Sequence, residues 1–256
     1  MSFNRYVALG DSFTEGVGDP DAQAPNGVRG WADRFAAEMG RINPDFLYAN
    51  LAIRGRKMRP ILAEQVAPAL VLRPDLVSIY AGANDVLRPS IDIDALMRDL
   101  DRAIGMFKAA GTHVVMFTAF DPGISKIFGQ VRGRFAIYSE YVREIAESHQ
   151  TTLVDFWRLR DYHDSRLWAQ DRMHMSSAGH QRMAIAVLDA LGKNHSLEPL
   201  ELVDEPVLSR AEQRRANVTW VSEYAGPWVK RRLTGVSSGD SLSPRWPTLQ
   251  RPPEFV

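Results

Sequence analysis

Short apolar runs alternate with apolar residues at helical spacing along the first three quarters of this chain, and that alternation limits the folds open to it. The runs are Tyr6–Leu9, Phe46–Leu51, Leu76–Tyr80, His113–Thr118 and Thr152–Phe156. Between them, Trp31, Phe35, Met39 and Ile42 recur every three or four residues, as do Met58, Ile61, Leu62, Val66, Ala69 and Leu70. The same spacing holds for Ile93, Leu96, Leu100, Ile104 and Phe107, for Phe135, Tyr138, Tyr141, Val142 and Ile145, and for Met183, Ala186, Val187 and Leu191. Strands separated by whole helices cannot pair as hairpins. They pair in parallel, and a parallel sheet needs helices on both faces. The pattern therefore predicts an α/β fold with about five parallel strands.

Composition narrows the function classes. Lys plus Arg and Asp plus Glu both number 31, so there is no net charge to favour nucleic acid or a polyanionic partner. With no cysteine, disulfides, thiolate-bound zinc and thiol catalysis are excluded together. Met1-Ser2-Phe3-Asn4-Arg5 leads straight into the first strand, and no apolar run approaches a membrane span. The expectation is a soluble, cytoplasmic protein with no integral membrane segment.

The strand exits carry the candidate chemistry. In an open parallel sheet, ligands bind at the carboxyl ends of the strands. The first exit reads Gly10-Asp11-Ser12-Phe13-Thr14-Glu15-Gly16, a serine between glycines at the start of the next segment. Free N–H groups at such a start can hold an oxyanion; equally, Ser12 or Thr14 could serve only as a cap. The second exit runs from Asn50 to Gly55, and the third is Gly82-Ala83-Asn84-Asp85. Beyond the fifth strand comes Asp171-Arg172-Met173-His174. A serine hydroxyl needs a base, which His174 could supply while Asp171 fixes its tautomer. Asn50, Asn84 and Asp171 could instead cap turns or helices, and His174 could be a surface histidine. His180, without an aspartate three residues before it, is the weaker rival base. His113 enters a strand at the opposite edge and reads as structural. The Gly-rich fingerprints of dinucleotide and P-loop sites are missing from the first turn, which argues against a flavin or nucleotide binder.

Taken together these blocks resemble the SGNH hydrolases, also called GDSL lipases/acylhydrolases. Gly10-Asp11-Ser12-Phe13, Asn50 to Gly55, Gly82-Ala83-Asn84-Asp85 and Asp171-Arg172-Met173-His174 follow that family's four blocks in order across residues 5–192. The resemblance implies a flavodoxin-like three-layer α/β/α sandwich and hydrolysis of a small-molecule ester without metal or other cofactor. It implies a Ser12–His174–Asp171 triad, an acyl-enzyme, and oxyanion donors from Ser12, Gly55 and Asn84. Met175 stands where many members have proline. A thioesterase or carbohydrate deacetylase could use the same groups, and an inactive flavodoxin-like binding module is the alternative from another class.

The pattern breaks near residue 192, so 1–192 is read as the catalytic domain and 193–256 as a C-terminal extension. Arg210–Tyr224 reads as one helix and the chain from Ser237 as irregular. Trp220, Tyr224 and Trp228 recur every four residues, an aromatic stripe for packing on the parent domain, for a homo-oligomer contact or for a lid. Arg54, Arg56, Lys57 and Arg59 cluster at a predicted helix start, where the helix dipole disfavours cations. Arg54, Arg56 and Lys57 are therefore candidate contacts to an anionic part of the substrate, with Arg88, Arg132 and Arg134 extending the rim; surface ion pairing is the alternative.

Overall fold

Tyr6 and Ala8 pack on one side of the first strand and Val7 and Leu9 on the other, and all four are buried. A strand buried on both faces has to lie inside the sheet. It does so in the structure, a computed structural model that describes residues 2–124, 128–204 and 208–254. The strands are β1 (Arg5–Gly10), β2 (Leu47–Asn50), β3 (Leu76–Tyr80), β4 (His113–Phe117), β5 (Thr152–Val154) and β6 (Trp246–Gln250), ordered β5-β4-β3-β1-β2-β6. The first five are parallel; β6 runs antiparallel to β2, pairing Gln250 with Tyr48 and Trp246 with Asn50.

The helices in chain order are α1 (Ser12–Glu15), α2 (Trp31–Ile42), α3 (Met58–Val71), α4 (Ala83–Val86), α5 (Ile93–Ala109), α6 (Arg132–Ser148), α7 (Ser177–Ala190), α8 (Arg210–Trp220) and α9 (Gly226–Thr234). One face of the sheet is covered by α3, α5 and α6, whose Met58, Ile61, Leu100, Ile104, Phe135 and Tyr138 pack on Val7, Leu9, Val77, Ile79 and Met116. The other is covered by α2 and α7, through Trp31, Phe35, Met39, Met183 and Val187 against Tyr6, Ala8, Tyr48 and Phe117. This is the three-layer sandwich that the strand–helix alternation predicts. Since β2 and β3 flank β1 on opposite sides, the connections leaving β1 and β3 diverge. The crevice at such a reversal is where doubly wound sheets hold ligands, and the short helices α1 and α4 begin there.

Two expectations for the tail need correction. Its last segment is not wholly irregular, because β6 forms the sixth strand; Pro247 lies within it, which only an edge strand tolerates. Nor is Arg210–Tyr224 one regular helix. After Trp220 the chain passes through a π-helical turn, Val221–Ala225, into α9. Pro227 has no N–H to offer the carbonyl four residues back, and the Gly226 N–H bonds to Val221 instead, which widens the turn.

A buried ion pair secures β6. Arg245 and Asp33 meet at 2.6 Å with side chains 1% and 0% exposed. Arg245 also donates to the carbonyls of Glu15 and Pro25, while Tyr48 and Trp246 donate to Asp33. Burial pushes the Asp33 carboxyl up against the pull of Arg245. Removing one member strands the other in a dry site. Arg245→Met should therefore lower the unfolding free energy by about 3 kcal/mol or more, and adding Asp33→Asn should recover part of that loss. Urea denaturation of both variants checks this; equal stability of Arg245→Met and wild type would contradict it.

Candidate active site

The serine at the end of β1 owes its position to a forced turn. Asp11 caps α1, its carboxylate accepting from the Phe13 N–H at 3.1 Å. Gly16 closes the helix at φ 104°, and a Cβ there would lie 1.3 Å from the Arg29 carbonyl oxygen. Ser12 is the first residue of the helix, so its N–H has no intrahelical acceptor.

The histidine arrives from a loop 162 residues away. Trp168 and Met175 bridge its two arms, and Ser176 caps α7 beyond it. Asp171 folds the loop back on itself by accepting from the Met173 and His174 N–H groups at 2.9 and 3.0 Å. Between them Arg172 takes a φ of 56°, a left-handed conformation that a β-carbon disfavours. His174 Nδ1 lies 2.6 Å from Asp171 Oδ2, and Nε2 lies 3.0 Å from Ser12 Oγ. A carboxylate only accepts, so Nδ1 carries the proton and Nε2 presents its lone pair to the serine. Burial pushes the Asp171 carboxyl up, but its hydrogen bond to His174, the electrostatic pull of that ring and two backbone N–H groups outweigh it and hold the group below its ordinary range.

Of the other histidines, His180 is fully buried, accepting from the Trp31 N–H at Nδ1 and donating to the Val17 carbonyl from Nε2. Burial lowers it to about 4, so it stays neutral as a structural link between α2, α7 and the loop after α1. His113 bonds Thr152 at the start of β4, at the far edge.

Gly55 sits at φ 75°, and its N–H has no acceptor among the described residues. Asn84 begins the turn of α4 after β3, and both hydrogens of its amide are engaged: one with Asp11 Oδ2 at 2.9 Å, the other with the Arg56 carbonyl at 3.2 Å. The next residue, Asp85, accepts from the Met58 N–H and so caps α3. Asn50 bonds the Thr14 carbonyl and, through its own oxygen, the Ala52 N–H. It shapes the second exit rather than facing the serine. Asp11 and Asp85 are both buried acids. Burial raises Asp11 to about 7, with the Phe13 N–H and the His174 charge opposing and Asp85 adding to the rise.

The basic cluster is mostly paired within the protein. Arg54 binds the wholly buried Glu15 at 2.8 Å. Arg56 binds Glu64 and Asp240, and Arg59 binds Asp99. Further along the proposed rim, Arg132 binds Asp121 and Arg134 donates to three carbonyls between Val86 and Ile91. The dipole cost at the start of α3 is thus offset by Asp85 and these carboxylates. Lys57 and Arg88 line the cavity at the site. That cavity, of about 300 Å³, has Ser12 and His174 among its walls, with aromatic surface from Phe13, Tyr80, Phe120, Phe156 and Trp168.

Several contributors escape a reading of the sequence. Asp11 holds Asn84; its signal is its place between Gly10 and Ser12. Trp220, from the aromatic stripe, donates Nε1–H to the Asp171 carbonyl at 2.8 Å and stacks under Arg172. Ser237 and Asp240, far along the chain, bond Arg54 and Arg56 on either side of Gly55; nothing local marks them.

Residues 8–182 match the model of the GDSL-like Lipase/Acylhydrolase family. An acetylxylan esterase from Geobacillus stearothermophilus is 25% identical over 217 residues, spanning 75% of this chain and 95% of that one. Among solved structures, an alpha/beta hydrolase enzyme from the metagenome of Lake Arreo, Spain, superposes with a TM-score of 0.64 at 24% identity, over 75% of this chain and 97% of that one. A variant of an acetyl xylan esterase from Geobacillus stearothermophilus gives 0.62 at 22% identity, over 78% and 100%. At these identities the structural likenesses establish the fold.

Asp11 gives the site a pH signature. Its folded value of about 7 lies above the ordinary 3.8, so the unfolded chain releases this proton first as pH rises. Stability from this group is full below about pH 4 and is lost progressively as pH climbs through about 7. Wild type should therefore lose stability relative to Asp11→Asn over that interval, whatever constant offset the substitution brings. Urea midpoints of both proteins at the two ends of the range check it; a pH-independent difference would contradict it.

Proposed function

The chain belongs to the GDSL-like lipase/acylhydrolase family and is a hydrolase of ester bonds; from that premise we propose that it works as a serine esterase through Ser12, His174 and Asp171. The observation carrying the reading is the unbroken line of hydrogen bonds from Ser12 Oγ through both nitrogens of His174 to Asp171.

In this reading Ser12 Oγ attacks the ester carbonyl while His174 Nε2 takes its proton. Asp171, kept ionised, stabilises the imidazolium that results. Negative charge on the former carbonyl oxygen falls to the N–H groups of Ser12 and Gly55. Asn84 joins them by exchanging its longer bond, the one to the Arg56 carbonyl, for the oxyanion; Asp11 keeps the amide turned to the site. His174 then protonates the leaving alkoxide, and water activated by the same nitrogen releases the acid from Ser12. Of the basic residues first read as substrate contacts, Lys57 keeps that role, because Arg54 and Arg56 already have carboxylate partners. The substrate is a small-molecule ester. A second reading, removal of acetyl groups from a carbohydrate, is favoured by the similarity to the Geobacillus stearothermophilus acetylxylan esterase.

Ser12→Ala and His174→Ala should each lower kcat by about three orders of magnitude or more with the fold intact, and Asp171→Asn by somewhat less. Asn84→Ala should lower kcat by roughly a hundredfold with little change in KM, because its contact forms in the transition state. Steady-state kinetics on a panel of aryl esters, thioesters and acetylated oligosaccharides checks these values and ranks the substrate classes. Near-normal turnover by Ser12→Ala would contradict the mechanism.

A further inference from the structure

The cavity at Ser12 is not closed by the family fold alone. The matched segment ends at residue 182, yet Tyr224, Trp228, Arg231, Val236 and Ser237 stand among the cavity's walls. The tail reaches this place because it is fastened on both sides of the catalytic groups. On the acid–base side, Trp220 donates to the Asp171 carbonyl, lies 5.3 Å from the Arg172 guanidinium, and is itself 8% exposed; Arg172 also bonds Asn217 at 2.9 Å. On the oxyanion side, Ser237 Oγ donates to the Arg54 carbonyl and Asp240 pairs with Arg56 at 3.0 Å. The fit there is close enough that a Cβ at Gly55 would lie 2.2 Å from Ser237 Oγ, and one at Gly239 2.2 Å from the Arg54 carbonyl oxygen.

Between these two fastenings the chain crosses the mouth of the site. The widened turn Val221–Ala225 leads into α9, and Trp228 then meets Phe128 edge to face at 6.0 Å. Phe128 belongs to the loop after β4, on the α/β body. The contact therefore joins tail to body across the cavity. At about 300 Å³ the volume of this partly open pocket is at the lower end of the range for small-molecule sites. Its surface is more apolar than polar, with aromatic rings from both the body and the tail, so it accepts an apolar group and sets a limit on that group's size.

We propose that residues 220–240 are the substrate-size determinant of this esterase, with Tyr224, Trp228 and Val236 forming the stop against which the apolar part of the ester ends. The proposal rests on the serine-esterase reading and names what that site takes: esters whose apolar group is short and compact. Removing the Trp228 ring opens the space beyond it, whereas a larger side chain at Val236 narrows the mouth.

The test measures kcat/KM over two matched ester series. In one the acyl group lengthens from acetate to octanoate on a fixed alcohol; in the other the alcohol lengthens from methyl to octyl on a fixed acid. Each additional methylene taken into apolar surroundings is worth roughly fourfold. Trp228→Ala and Tyr224→Ala should therefore raise the ratio of long to short esters by about tenfold or more in at least one series, and Val236→Trp should lower it. Each ratio is taken within one protein, so a variant that yields less folded enzyme still reports it. Unchanged ratios for all three variants in both series would overturn the inference and leave the esterase reading standing. Failure of wild type to cleave any ester of either series would overturn both.

Discussion

An imidazole nitrogen with its lone pair 3.0 Å from a serine oxygen is the contact on which the rest of this structure depends. Ser12 and His174 are separated by almost the whole α/β body, so their distance is set by the sheet and not by either loop alone. The β1 exit is fixed by the cap of Asp11 and the left-handed closure at Gly16. The histidine loop is fixed from within by Asp171, from its base by the Trp168–Met175 bridge, and from outside by Trp220. Arg172 keeps a conformation that the isolated loop would leave, and backbone strain of this kind persists only where several contacts over-determine it.

Acidic side chains do much of the positioning around that contact. Glu15 holds Arg54, Asp85 caps α3, Asp240 holds Arg56, and Asp11 orients Asn84. Three of them bond residues 54–58, and Asp11 reaches that turn through Asn84. Glu15, Asp85 and Asp11 are buried, where a carboxylate without partners would be expensive, so each of these is matched by a guanidinium, a backbone N–H or an amide. The consequence is that Arg54 and Arg56 are paired before any substrate arrives, while Lys57, Arg88 and Arg231 also line the cavity. A cavity with more apolar than polar surface suits the apolar portion of an ester, and charged groups at Lys57, Arg88, Glu223 and Arg231 stand among its walls. The tail adds to this arrangement from the far side, since it fastens to the Asp171–His174 loop and to the turn around Gly55.

The five parallel strands, the helices on both faces and the four blocks at the strand exits were legible because each is a local pattern; the order of the strands across the sheet was not. Period and turn chemistry are written in neighbouring residues, and Asp171 lies three positions from His174. Partners far along the chain were not legible. Nothing near Arg54 names Glu15, and nothing near Arg56 names Asp240, so a cluster of cations at a helix start looked available for ligand. Asn84 looked free for the same reason; its bonds reach Asp11 and Arg56 through the fold. Strand β6 hid behind Pro247 and a Ser-, Gly- and Pro-rich approach, with its place fixed by the buried pair of Arg245 and Asp33, which are remote in sequence. The break in the tail helix depends on one missing N–H at Pro227, which periodicity cannot register.

The central claim is that Ser12 is the nucleophile and that His174 activates it. Labelling the full-length protein with a fluorophosphonate and mapping the modified peptide by mass spectrometry tests it most directly. The account predicts a single phosphonylated residue, Ser12, and near-complete loss of labelling in His174→Ala, while His180→Gln, if folded, still labels. A protein that hydrolyses esters yet carries the label elsewhere, or labels equally well without His174, would contradict it.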